Sequence, residues 1–128
     1  MCLAAICAYT HVPAYGLFTY PDAIIIYGTP QLMDEEFDTI LNPSVIVEIL
    51  SPATQRYDRG EKFMLYRSIP SLQEYIIIDS ESISIEHYKR NTDNTWLLQE
   101  WKEGTDMLMI ATIGLSLIVE ELYSEVKV

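Results

Sequence analysis

The chain has 128 residues, 49% apolar and 21% charged, which fits one globular domain and excludes a disordered tail or a charged linker. Eight Lys and Arg against 19 Asp and Glu give a formal net charge of −11, so the overall field repels nucleic acid and any DNA contact has to be local. The two cysteines, Cys2 and Cys7, exclude a disulfide framework and show no zinc spacing; they read as small apolar filling.

The start, MCLAAICAY, lacks a basic n-region and reads as mature sequence of a cytoplasmic protein. Ala23 to Tyr27 is an aliphatic, β-branched run bounded by Pro21 and Gly28, hence a strand. An acidic loop with Asp34, Glu35, Glu36 and Asp38 follows and reads as solvated. Val45 to Leu50, between Pro43 and Pro52, is a second strand. Neither run alternates, so both are expected to be buried on both faces of an α/β sheet.

Residues 57–68 read as a helix stopped by Pro70, with Phe63, Tyr66 and Ile69 as core contacts. Glu74 to Asp79 is a third buried strand. Ser82 to Glu86 alternates strictly and predicts a half-exposed strand. Asn91 to Asn94 is a turn, and Thr95 to Trp101 returns as the partner of a hairpin. Met107 to Ile110 is a short strand, and Ser116 is expected to cap a last helix over 117–123. The apolar stretch from Met107 to Val119 is too short to cross a bilayer. This order predicts an α/β fold with a mixed sheet.

Glu48 is the most informative residue, because it interrupts the aliphatic run VIVEIL. An ionised carboxylate buried there costs several kcal/mol unless something pairs with it. Its partner is a structural cation, a local hydrogen bond to a protonated carboxyl, or a metal ion. Asp22 opens the preceding strand directly after Pro21, as a turn former or as a second carboxylate. If the two strands are antiparallel neighbours, Asp22 and Glu48 lie side by side, and a divalent cation is the usual remedy for their repulsion. Hard oxygen ligands with positions left for water and phosphate suit Mg²⁺. Lys62 lies four residues after Asp58, so it is either a surface partner of that acid or an amine aimed at a two-carboxylate site.

The first basic residue is Arg56, and Arg56, Arg59, Lys62 and Arg67 then cluster, the one segment able to hold a phosphate locally. His11 and His87 are isolated and read as packing or surface residues. Ser51 and Thr54 are expected to cap the helix rather than act as nucleophiles. Trp96 and Trp101 read as core or interface packing rather than base-stacking residues.

Pro21-Asp22, then the run from Val47 through Glu48, Leu50, Ser51 and Pro52 to Thr54, then Asp58 to Lys62 with Tyr66, then Glu74 to Asp79 form an ordered set. It resembles the Uma-two family of putative restriction endonucleases, within the PD-(D/E)XK nuclease superfamily, from about Tyr20 to Tyr123. The resemblance implies a restriction-endonuclease-like fold, a mixed central sheet with flanking helices and a C-terminal hairpin. It implies a Mg²⁺- (or Mn²⁺-) dependent DNA endonuclease in which Asp22 and Glu48 bind the metal. The superfamily lysine falls two residues after the Glu, where this chain has Leu50. The family departs in the same way, and Lys62 is the implied substitute. Arg56, Arg59 and Arg67 are then expected to touch flanking phosphates, with weak, local DNA contacts. Family members carry a longer N-terminal part with a helix that often adds another acid; this chain reads as a shortened member. An uncovered sheet would expose apolar surface, so a homodimer is expected. The alternative is a catalytically inactive, dimeric remnant acting as a scaffold or accessory protein.

Overall fold

Three aliphatic runs build the middle of a six-stranded mixed sheet. A computed structural model describes the backbone of residues 3–6, 8–32, 39–51 and 60–126 and the side chains of 8–32, 39–51 and 60–123. The strands are β1 (Leu3–Ile6), β2 (Tyr9–Val12), β3 (Leu17–Thr19), β4 (Ala23–Tyr27), β5 (Thr39–Ile40), β6 (Val45–Leu50), β7 (Glu74–Asp79), β8 (Ile85–Arg90), β9 (Trp96–Trp101), β10 (Met107–Ile110) and β11 (Leu115–Ile118). Residues 60–66 form helix α1, and Val119–Val126 form α2. The main sheet runs β1-β4-β6-β7-β8-β9, a small sheet runs β3-β2-β5, and β10 pairs with β11.

Only β6 and β7 are parallel in the main sheet; the other neighbours are antiparallel. A parallel pair needs a crossover. Here the chain from β6 to β7 carries α1 across one sheet face. Tyr66, Ile69 and Leu72 pack there on Ile46, Leu50, Tyr75 and Ile77, with Val12 of β2 closing the cluster. The opposite face carries Val45, Ile76, Ile78 and Ile85 beneath Leu108, Ile110, Val119 and Tyr123.

The three central strands, the tight turn at 91–94 and the strands at 96–101 and 107–110 follow the sequence pattern. Burial on both faces holds at every position only for β7. In β4 and β6, Ile25, Val47 and Ile49 are half-buried or exposed. The β10–β11 hairpin covers β7 and β8 but only borders β6, leaving an apolar cleft of about 170 Å³ beside Ile25 and Val47.

Two expected elements shift. The alternating run 82–86 does not form a strand over its length, because β8 begins at Ile85. The Asp79 carboxylate accepts from the amides of Glu81 and Ser82, and the Asp79 amide bonds the Ser84 carbonyl, so 80–84 closes as a turn. Ser116 caps no helix and lies within β11. Gly114, at φ 66°, reverses the chain into a hairpin. The first amides of α2 are taken by backbone carbonyls instead, Val119 by Asp106 and Glu120 by Gly104. Of the helix expected at 57–68, residues 57–59 lie outside the described residues and the helical turns end at 66.

His87 is neither a surface residue nor simple packing. It is buried, and its Nε2 lies 2.5 Å from Glu74 Oε1 on the neighbouring strand. The second Glu74 oxygen accepts from the Thr112 amide at 2.7 Å, tying the sheet to the short turn before β11. Burial pushes the Glu74 carboxyl upward, but the His87 and Thr112 hydrogen bonds outweigh it and hold the pKa below its ordinary value. A carboxylate lowered on folding stabilises fully above the unfolded value, about 4.3, and its contribution is lost as pH falls through the folded value. Glu74→Gln is therefore expected to cost about 1.5–3 kcal/mol at neutral pH. It should also flatten the acid limb of a urea-midpoint profile below about pH 4.3. An unchanged acid limb would locate that dependence in other carboxylates.

Candidate active site

The site is built where β4 enters the sheet. Pro21 ends the approach from β3, and Asp22 is the last residue before β4. Ala23 pairs with Val47 in antiparallel register, which sets Asp22 opposite Glu48. The Asp22 amide donates to Glu48 Oε1 at 2.9 Å, and the Ile49 amide donates to Asp22 Oδ2 at 2.7 Å. Each carboxylate thus accepts a backbone N–H from the other strand, just past the regular β4–β6 pairing. Glu48 is buried at 2% exposure, whereas Asp22 is exposed at the mouth.

Lys62 enters from α1. Its Nζ lies 2.5 Å from Glu48 Oε2, with a third of the side chain exposed. Tyr66 lies one turn further along the same helical stripe and is fully buried. Burial, then the charge of Glu48, raises its phenol pKa far above the ordinary range; the Thr19 hydroxyl opposes this, and Asp22 adds a smaller push upward. Tyr66 therefore remains a protonated donor at any working pH. The sequence marked Tyr66 only as a core contact and a neighbour of Lys62. Its place in the core comes from the packing of α1 on Ile46 and Leu50 of β6.

The remaining candidates separate. Arg56 and Arg59 lie outside the described residues, as do Asp58, Thr54 and the side chains of Cys2 and Cys7. Arg67 points away from the acids, with its guanidinium 5.3 Å from the Phe63 ring centre. Leu50 is buried in the core beneath α1. His11 stacks on Phe18 across the β2–β3 pair of the small sheet.

Asp22 and Glu48 offer hard oxygen ligands, and among the described residues no group of three or more His, Cys, Asp or Glu converges. Two carboxylates completed by water and phosphate match the way Mg²⁺ is usually held. The oxygen donors of Asp22 and Glu48 are thus of the chemical type that suits a hard divalent cation.

The family model described as "Putative restriction endonuclease", Uma2, matches residues 4–120. The chain is 38% identical over 106 residues to the uncharacterized protein slr1290 of Synechocystis, covering 83% of this chain and 54% of that one. It is 41% identical over 83 residues to the uncharacterized protein sll1609 of the same organism, covering 65% and 47%. The chain thus spans about half the length of these relatives. In fold it is similar to the crystal structure of a putative nuclease belonging to DUF820 from Anabaena variabilis, with a TM-score of 0.75 at 17% identity, covering 97% of this chain and 69% of that one. No helix among the described residues is long and apolar enough to cross a membrane.

The Glu48–Lys62 contact gives a direct test. Lys62→Met strands a buried carboxylate. Because the lysine is partly exposed, the loss should fall below the 3–5 kcal/mol of a fully buried pair, at about 1–3 kcal/mol in urea denaturation. In a Glu48→Gln background the same change should cost under about 0.5 kcal/mol, since no charge remains to strand. Equal losses in both backgrounds would mean that Lys62 stabilises through its stem alone.

Proposed function

The chain belongs to the Uma2 family of putative restriction endonucleases, and from that premise we propose that it hydrolyses DNA phosphodiesters with a divalent cation, Mg²⁺ or Mn²⁺, held by Asp22 and Glu48. The observation that carries this reading is the buried Glu48 carboxylate, which takes the Asp22 amide on one oxygen and the Lys62 amine on the other. A cation bound there would supply Lewis-acid polarisation of the scissile phosphate.

The chain's own residues do the rest. The cross-strand amide bonds fix both carboxylates before any ligand arrives, so no side-chain ordering is left for the bound state. Lys62 commits one of its three N–H groups to Glu48. Among the described residues the others have no acceptor and would hold a phosphoryl oxygen or orient a water, from a stem that is one-third exposed. With a net charge of −11, the protein attracts DNA poorly, so turnover is expected to be slow and to need high metal concentration or a partner.

Plasmid DNA with Mg²⁺ or Mn²⁺ should be nicked by the wild-type protein, with a drop of at least about 100-fold in Glu48→Gln and in Asp22→Asn. Equal nicking by wild type and both variants would mark a contaminant and remove the nuclease reading. The second reading, a catalytically inactive remnant, is favoured by the net charge of −11, which repels DNA. Absence of any Mg²⁺ or Mn²⁺ heat in calorimetry, unchanged in Asp22→Ala, would select it.

The proposal includes a homodimer. Ile25 and Val47 line an apolar cleft with Leu115 and Leu117, and Ile49 beside them is 38% exposed, a face that a second copy would bury. Light scattering at micromolar concentration should give about twice 14.7 kDa; the monomer mass would remove the dimer.

A further inference from the structure

A groove of about 660 Å³ runs between α1 and the β8–β9 hairpin, within the size range of small-ligand pockets, roughly 300–1,000 Å³. Helix α1 divides it from the acids. Lys62 and Tyr66 form one helical stripe on the acid side, and Phe63 and Arg67 form the adjacent stripe on the groove side. The far wall carries Arg90 and Trp96, and Tyr15 adds an exposed ring from the β2–β3 turn.

Charge makes this groove unusual. Acids outnumber bases 19 to 8 in the chain. Lys62 and Lys102 each pair with a glutamate. Yet Arg67 and Arg90 meet here, and neither pairs with an acid among the described residues. Among the described residues no acid is part of the groove wall, although the Asp93 carboxylate accepts from the amide and hydroxyl of Thr95, a groove residue.

Arg90 is held in advance. Its Nε donates to the Leu72 carbonyl at 2.7 Å, and Nη2 donates to the Arg67 and Ile69 carbonyls at 3.0 Å each. Its guanidinium lies 4.6 Å from the Trp96 ring centre. Among the described residues Nη1 has no acceptor, so a fixed cation retains an open donor. Arg67 is exposed, with its guanidinium over the Phe63 ring, and supplies a second cation. Two cations beside aromatic rings, without a counter-charge, match a ligand that is anionic and planar at once.

We propose that this groove binds unpaired nucleotides of a DNA strand, two successive phosphates on Arg67 and Arg90 and a base against Tyr15 and Trp96. The inference rests on the nuclease reading and narrows it to substrates with single-stranded or frayed character. Duplex DNA keeps its base faces stacked and leaves the rings without a partner, whereas an unpaired strand offers both a phosphate and a free base face. It also explains how so acidic a protein holds DNA: the grip is local and partly stacking, which charge repulsion weakens least.

The test uses metal-free Glu48→Gln protein, which holds DNA without cutting it, and a labelled single-stranded oligothymidylate read by anisotropy and Trp quenching. Two phosphate contacts predict a log–log salt slope of about −1.4. Arg67→Ala should weaken binding about tenfold and reduce the slope by about 0.7, and Arg67→Lys should restore the slope. Matched duplex should bind more weakly, and polyglutamate should not compete. Unchanged affinity and slope in Arg67→Ala, equal duplex binding, or competition by polyglutamate would each overturn the groove assignment. Failure of the groove in a protein whose wild type still nicks plasmid leaves the nuclease reading intact. Groove binding without any nicking sinks the nuclease reading alone.

Discussion

A buried carboxylate organises this molecule. Glu48 lies in the aliphatic core of a central strand, where an unpaired charge would cost several kcal/mol. It is tolerated because two groups from distant chain segments reach it: the Asp22 amide from the neighbouring strand and the Lys62 amine from the crossover helix. Asp22 returns the bond through its own carboxylate to the Ile49 amide. The start of β4, the middle of β6 and the start of α1 are thereby held in one geometry.

The crossover explains why the amine comes from a helix. Positions 48 and 50 share a strand face, and Leu50 on that face packs beneath α1. A lysine at 50 would add a second buried charge to the core. The parallel β6–β7 pair forces the chain to pass back over this same face. A residue on that return path can reach Glu48 with its stem in solvent and its amine in the site. Lys62 does so, being one-third exposed and bonded at 2.5 Å. The same helix, turned by one residue, presents Phe63 and Arg67 to the opposite groove, so α1 serves two surfaces at once.

A second buried carboxylate, Glu74, has a structural part. His87 and the Thr112 amide satisfy it, joining the main sheet to the C-terminal hairpin. From sequence, Glu74 opens an aliphatic strand much as Asp22 does, and His87 follows an apolar alternation. Nothing local distinguishes a strand-end acid that meets a buried imidazole from one that meets solvent. The misplaced start of β8 has a similar origin. The alternation of Ser82 to Glu86 is real, but Asp79 captures the amides that would have joined the ladder.

The sequence by itself determined the three aliphatic strands, the helix between the second and third, and the need of Glu48 for a partner. These follow from local hydrophobicity, residue period and the cost of burying charge, all of which act within a few residues. The ordered set from Pro21-Asp22 to Lys62 also carried the family resemblance that the match over residues 4–120 bears out. Only the tertiary structure decided which atoms meet: the β4–β6 register that sets Asp22 against Glu48, the reach of Lys62 from α1 to Glu48, the Glu74–His87 pair, and the convergence of Arg67 with Arg90. Those contacts join residues distant in the chain, so strand register and the packing of α1 fix them, and no local pattern in the chain encodes either.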